Sequence, residues 1–164
     1  MTNAEIVAKA RKSIELESMR AQGRIDALNL RSRAVDMEGT EIIAEEEKIP
    51  QFNPKKDYSD FPVGSPVWEL VDGEHQVFKL ITPHNAEHYP SSTPSNTPAL
   101  WSICHTKDPK KAKPYLPPNG RSGLYMTDEV CIKNSHLWRS KKNDNPYPPG
   151  ELATQAFWED LGPV

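Results

Sequence analysis

Gly64-Ser65-Pro66-Val67-Trp68-Glu69-Leu70-Val71-Asp72-Gly73-Glu74-His75-Gln76-Val77-Phe78-Lys79-Leu80-Ile81 is the stretch on which the fold turns. Two runs rich in β-branched and aromatic residues flank an Asp-Gly pair, the residue types that tolerate the positive φ of a tight hairpin turn. The stretch reads as a β-hairpin. Residues 84–98 then form a polar loop whose three prolines (Pro90, Pro94 and Pro98) set an irregular path, and Leu100-Trp101-Ser102-Ile103 closes the unit as a third strand.

The same phrase returns downstream. Asp128-Glu129-Val130-Cys131-Ile132 goes out, Lys133-Asn134-Ser135 turns, and His136-Leu137-Trp138-Arg139-Ser140 comes back. A loop over residues 141–154 leads to Phe157-Trp158-Glu159-Asp160-Leu161. The landmarks Val67, Phe78, Tyr89 and Trp101 answer to Val130, Trp138, Tyr147 and Trp158, with nearly matching spacings. Val67, Phe78, Trp101, Val130, Trp138 and Trp158 are the expected core, with the two tryptophans beneath the sheets supplying most of it. Units this short bury little surface and suit binding heads used in series better than enzymes.

Upstream the composition changes. Residues 1–48 contain no proline and no aromatic residue, while all 16 prolines lie beyond them. Residues 3–37 have high helix propensity, with Thr2 or Asn3 placed to cap the first turn. Val7, Ile14, Ala21, Leu28 and Val35 fall seven apart in one narrow apolar stripe, as a coiled-coil seam requires, although Glu17, Arg24 and Arg31 stand where a strong zipper has leucine. A helix so polar must lie on something: another copy, its own modules or a host assembly. The expected class is therefore α+β: a long N-terminal helical arm and two small three-stranded β-modules with long Pro-rich loops. The expected divisions are a helical assembly region over 1–48, a module over 49–106, an extended connector over 107–122 and a second module over 123–164.

Several chemistries find little footing. Twenty basic against 23 acidic residues, net −3, with no basic stripe, argue against nucleic acid. No apolar run approaches the roughly 20 residues that cross a bilayer, and the N-terminus lacks a signal-peptide core, so synthesis in a cytoplasm without membrane insertion is expected. Cys104 and Cys131 read as small, partly buried thiols, with a bridge between modules as the alternative. His84 and His88 lie between Pro83 and Pro90 and read as solvent-facing loop residues, not metal ligands. Asp128, Glu129, Glu159 and Asp160 read as strand-edge charge, so neither catalysis nor a cofactor is expected.

Tyrosine, glycine or aspartate, valine, turn, aromatic, a loop with an aromatic followed by proline, and a terminal Trp-Glu resemble the small chitin-binding carbohydrate modules of families five and twelve. The likeness covers about the last two-thirds of the chain. It is better in the second copy, through Asn143-Asp144-Asn145-Pro146-Tyr147-Pro148-Pro149-Gly150 and Trp158-Glu159. Tandem copies behind a helix resemble bacteriophage tail or fibre-associated proteins. The resemblance implies a virion structural protein for host attachment, without catalysis, bound to other tail, baseplate or fibre proteins and self-associating, a trimer suiting a fibre. It also implies contact with a bacterial surface glycan. Tyr147, with Asn143, Asp144 and Asn145, is the glycan-binding candidate of the second module; Tyr89, with Asn85, His88 and Asn96, is that of the first. Family members present adjacent exposed aromatics, whereas each loop here offers one tyrosine, so useful affinity would need many copies. Two alternatives remain: an architectural protein that binds no sugar, and an accessory subunit of a carbohydrate-active enzyme.

Overall fold

The computed structural model describes residues 1–164. The fold is α+β: one long N-terminal helix followed by two small sheets, of three and four strands. Helix α1 (Asn3–Arg33) opens on a capping box in which Thr2 Oγ1 accepts from Glu5 N–H at 3.1 Å and the Glu5 carboxylate accepts from Thr2 N–H at 2.6 Å. The expected helix ran on to Met37. Instead the α-helix stops at Arg33, a 3-10 turn spans Ala34–Asp36, and α2 (Gly39–Ala44) folds the chain back.

The reversal has an apolar cause. Leu30, Ile42, Ile43 and Ile49 close a core with Val77 and Cys104 of the first sheet, and Met37 and Trp68 pack against its rim. Burying these four helical-segment side chains outweighs continued helix, since each contributes roughly 1.5–3 kcal/mol. Gly39 allows the approach: a Cβ there would stand 2.3 Å from the His105 carbonyl oxygen. Polar contacts finish the joint. Glu45 accepts both Arg33 guanidinium nitrogens at 3.0 Å and the Lys48 ammonium at 2.8 Å. Arg31 lies 4.0 Å over the Phe61 ring. Arg31 is thus not a flaw in a seam but part of the docking face.

In the first sheet β1 (Pro66–Val71) pairs with β2 (Glu74–Leu80), and β2 with β3 (Trp101–Ile103), all antiparallel. Asp72 and Gly73, both at positive φ (53° and 80°), make the expected turn. In the second sheet β4 (Lys113–Pro114), β5 (Val130–Lys133), β6 (His136–Ser140) and β7 (Trp158–Pro163) lie in that order, and Asn134 and Ser135 (φ 53° and 58°) close the hairpin.

β4 lies inside the expected connector. It runs parallel to β5, and Tyr115 N–H donates to the Ile132 carbonyl at 2.8 Å. The residues just after the helical segment do the same in the first module. Gln51 bridges Trp68 in parallel, and Phe52 N–H donates to the Trp68 carbonyl at 2.8 Å. Proline suits these edges because it withholds a donor the ladder does not need there. Each unit therefore has a short parallel fringe beside its three antiparallel strands.

The repeat is real in three dimensions, with one correction to its phase. Phe52 and Tyr115 each occupy the fringe position, so Trp68 answers to Ile132, and the partner of Val67 is Cys131, not Val130. The cross-strand pairs agree: Val67 faces Phe78, and Cys131 faces Trp138. Because strand side chains alternate, this one-residue shift changes which face a side chain serves. Under each sheet sits the same aromatic cluster. Phe52 stacks on Tyr58 (6.0 Å, 12°), which meets Trp101 edge-on (5.2 Å, 88°); Tyr115 stacks on Tyr125 (5.6 Å, 22°), which meets Trp158 at 5.3 Å and 68°. Each buried tyrosine hydroxyl accepts a backbone N–H from the fringe segment, Asn53 at 3.0 Å and Leu116 at 3.4 Å.

Val67, Phe78, Trp101, Val130 and Trp158 are buried as expected, but Trp138 is only half-buried. Cys104 and Cys131 are unbridged thiols buried in separate clusters, and burial pushes each up to about 12.

Candidate functional site

Two features stand apart from the packed body: the free part of the helix and the loops that join the last two strands of each sheet. Residues 1–20 are wholly exposed. A helix of 31 residues is about 46 Å long at 1.5 Å per residue, and its first two-thirds touch no other element. Val7, Ile14, Leu28 and Val35 are exposed and Ala21 is half-buried; the side used for docking carries Leu30, Arg31 and Ala34. The stripe is left unpartnered within the chain.

In the second module the loop places Tyr147 between Pro146 and Pro148 with 40% of its surface exposed. One ring face lies on Phe157 (4.6 Å, 14°), and the backbone on either side is held: the Tyr147 carbonyl accepts Trp158 Nε1–H at 2.9 Å, and Tyr147 N–H donates to Asn145 Oδ1 at 3.1 Å. The ring is a fixed platform with one face covered.

Asn145 corrects an expectation. It is fully buried, its amide donates to Ser140 Oγ (3.0 Å) and the Phe157 carbonyl (3.1 Å), and its oxygen accepts Tyr147 N–H. No group remains for a sugar hydroxyl; Asn145 pins the loop to the sheet. Asn143 is exposed, with its oxygen accepting Thr127 N–H at 3.0 Å, and Asp144 is exposed at a φ of 48°.

In the first module Tyr89 is 47% exposed and His88 and Asn96 are exposed, while Asn85 caps a one-turn 3-10 helix (Ala86–His88) by accepting Glu87 N–H at 3.1 Å. Asn96 is engaged locally, accepting from Thr93 N–H and donating to the Ser91 carbonyl. His84, expected to face solvent, is buried. Its ring packs edge-on to Trp101 (5.6 Å) and Tyr89 (5.7 Å), and Nδ1 lies 2.7 Å from the Thr82 carbonyl. The cause is its place in the repeat: Tyr58 N–H donates to the His84 carbonyl as Tyr125 N–H does to that of Asn145. Both are pinning residues behind a tyrosine loop. The likeness of Tyr58 to Tyr125 was the signal in the sequence that could have located them.

Between the modules, His105 stacks face to face on Tyr125 (3.7 Å, 17°), and its Nε2 lies 3.1 Å from the Gly123 carbonyl. Burial disfavours the imidazolium, so the group is pulled down to about 4. Lys113 and Lys111 pair with Glu46, tying the second module's fringe to the helical segment, and Gln76 donates to the Pro114 carbonyl at 2.8 Å.

No protein-family model and no curated protein matches this chain.

Proposed function

We propose that the chain is a non-enzymatic structural protein of a bacteriophage virion, of the tail-fibre or fibre-attachment kind. Its helix docks or self-associates and its β-modules face outward. The observation that carries the assembly part is the free helix: residues 1–20 are exposed, and so are Val7, Ile14, Leu28 and Val35, four of the five residues of the apolar stripe that repeats every seven residues. An isolated helix of this composition gains little from propensity alone, so a partner for the stripe gives it a reason to persist. The recipient is a second copy or a neighbouring tail or baseplate protein.

The glycan part rests on the repeated unit's resemblance to small carbohydrate-binding modules and on the exposure of Tyr89 and Tyr147. In the architectural alternative the same rings would be buried against a neighbouring subunit in the assembly. Tyr147 offers one open face on a stiff support, the arrangement that lies against the apolar face of a pyranose with little ordering cost. Single rings bind weakly, and display in many copies on a particle supplies the avidity.

The test has two arms. Size-exclusion chromatography with light scattering should report an oligomer for the parent and a monomer for Val7→Glu/Ile14→Glu/Leu28→Glu, or binding of the parent alone to a tail protein. A chain that neither self-associates nor co-purifies with assembled particles on a density gradient sinks the virion reading. Co-sedimentation with bacterial cell-wall and outer-membrane polysaccharides, against Tyr89→Ala/Tyr147→Ala, tests the outward role.

A further inference from the structure

The two copies of the unit differ at one equivalent position. Phe78, opposite Val67, is 2% exposed, and the space beside it, closed by Pro94 and Pro98 of its own loop and by Leu116, Pro117 and Asn119 of the following connector, is about 30 Å³. Trp138, opposite Cys131, is half-buried and lines a groove of about 400 Å³. At the second ring the groove is lined instead by Leu152 and Gln155 of a 3-10 helix, Leu152–Phe157.

We infer that this groove is a sugar-binding site, the place where the second module takes a neutral or amino-bearing pyranoside. The inference rests on the glycan reading above and moves its centre from the Tyr147 loop to Trp138. The indole is rigidly held: its Nε1–H donates to the Lys133 carbonyl at 3.0 Å, and Gly150 lies so close that a Cβ there would come within 3.4 Å of the ring. The ring face therefore offers apolar surface, not a hydrogen bond.

Polar groups stand around it in the pattern that pyranose hydroxyls require. Glu151 and Gln155 line the groove with exposed side chains that bond to nothing else in the chain, offering acceptors and an amide donor. Asp160 forms the far wall, fixed by His136 Nδ1 at 2.9 Å and Gly162 N–H at 2.8 Å. Two carboxylates on one groove repel a uronate and accept from hydroxyl or ammonium groups, which sets the class of sugar. An apolar ring with a few oriented polar groups is the usual composition of a small-ligand site.

The experiment follows the Trp138 indole N–H by NMR in the full chain, assigned with Trp138→Phe, during titration with chitotetraose, glucosamine tetramer and tetragalacturonate. The expected result is a saturable shift with one or both of the first two and none with the third. Affinity should fall about tenfold in Glu151→Ala/Gln155→Ala, more than it falls in Tyr89→Ala/Tyr147→Ala. Binding lost only in the tyrosine variant overturns the groove and leaves the glycan reading standing. Preference for tetragalacturonate overturns the assigned sugar class and with it the proposal. A parent that binds none of the three at millimolar concentration overturns both readings.

Discussion

Asp128 holds in the second module the place that Gly64 holds in the first. Each sits at positive φ, 74° and 92°, and each donates its N–H to the last residue of the hairpin's return strand, Ser140 at 2.9 Å and Leu80 at 2.7 Å. The two sites have different neighbours. A Cβ on Gly64 would meet the Val35 Cα at 3.0 Å and the Ala34 carbonyl at 3.1 Å, so the helical segment passes directly over it. Gly64→Ala should cost roughly 2 kcal/mol or more through strain and displacement of that segment. Asp128→Gly should raise stability by roughly 0.5 kcal/mol, because relief of the left-handed conformation slightly exceeds the added unfolded-state entropy. Urea unfolding of both variants checks the pair, and equal effects would contradict it.

Asn145 should behave as a structural residue. Asn145→Ala leaves Tyr147 N–H without its acceptor and removes one bond each from the Phe157 carbonyl and Ser140 Oγ, at a cost of about 2–4 kcal/mol, while Asn143→Ala should cost under about 1 kcal/mol. Thermal unfolding would separate them; a mild effect at Asn145 would return it to the surface loop.

Acid should weaken the fold in two windows. His105 is held neutral in the folded state, pulled from its usual 6.5 to about 4 by burial, so the unfolded chain binds its proton first. The contribution is fully present above pH 6.5 and is lost as pH falls towards 4, about 3 kcal/mol at most. Glu45, lowered to about 2 mainly by its bonds to Arg33 and then Lys48, contributes above pH 4.5 and loses that contribution as pH falls towards 2. The urea midpoint measured against pH should fall in both windows, and His105→Gln should remove the upper step alone.

Deleting residues 1–20 should leave the unfolding midpoint within about 0.5 kcal/mol of the parent, since that part of α1 buries nothing. Leu30→Ala, at the point where the helix meets Ile42, Ile43 and Val77, should cost about 2–5 kcal/mol. A large loss on deletion would mean that the free part of the helix is packed in solution, and light scattering on the two chains would identify the partner as a second copy.

The residues themselves determined what depends on local backbone preference. Asp72-Gly73 and Asn134-Ser135 accept positive φ and so made two hairpins; the absence of proline and aromatics before Ile49 made a helix; and Tyr89 and Tyr147, flanked by proline, could only be loop residues. The tertiary structure alone decided which of these surfaces meet. It set Cys131 instead of Val130 against the strand face that Val67 serves, because register is fixed by pairing across the sheet and by the parallel fringe strands, one of which lies in the segment that read as a connector. It turned the helix back at Ala34, because Leu30, Ile42 and Ile43 find their apolar partners Val77 and Cys104 far along the chain. It also buried His84 and Asn145 while opening Trp138, since burial depends on what folds over a side chain, and a loop's polar composition does not say which of its residues will hold it down.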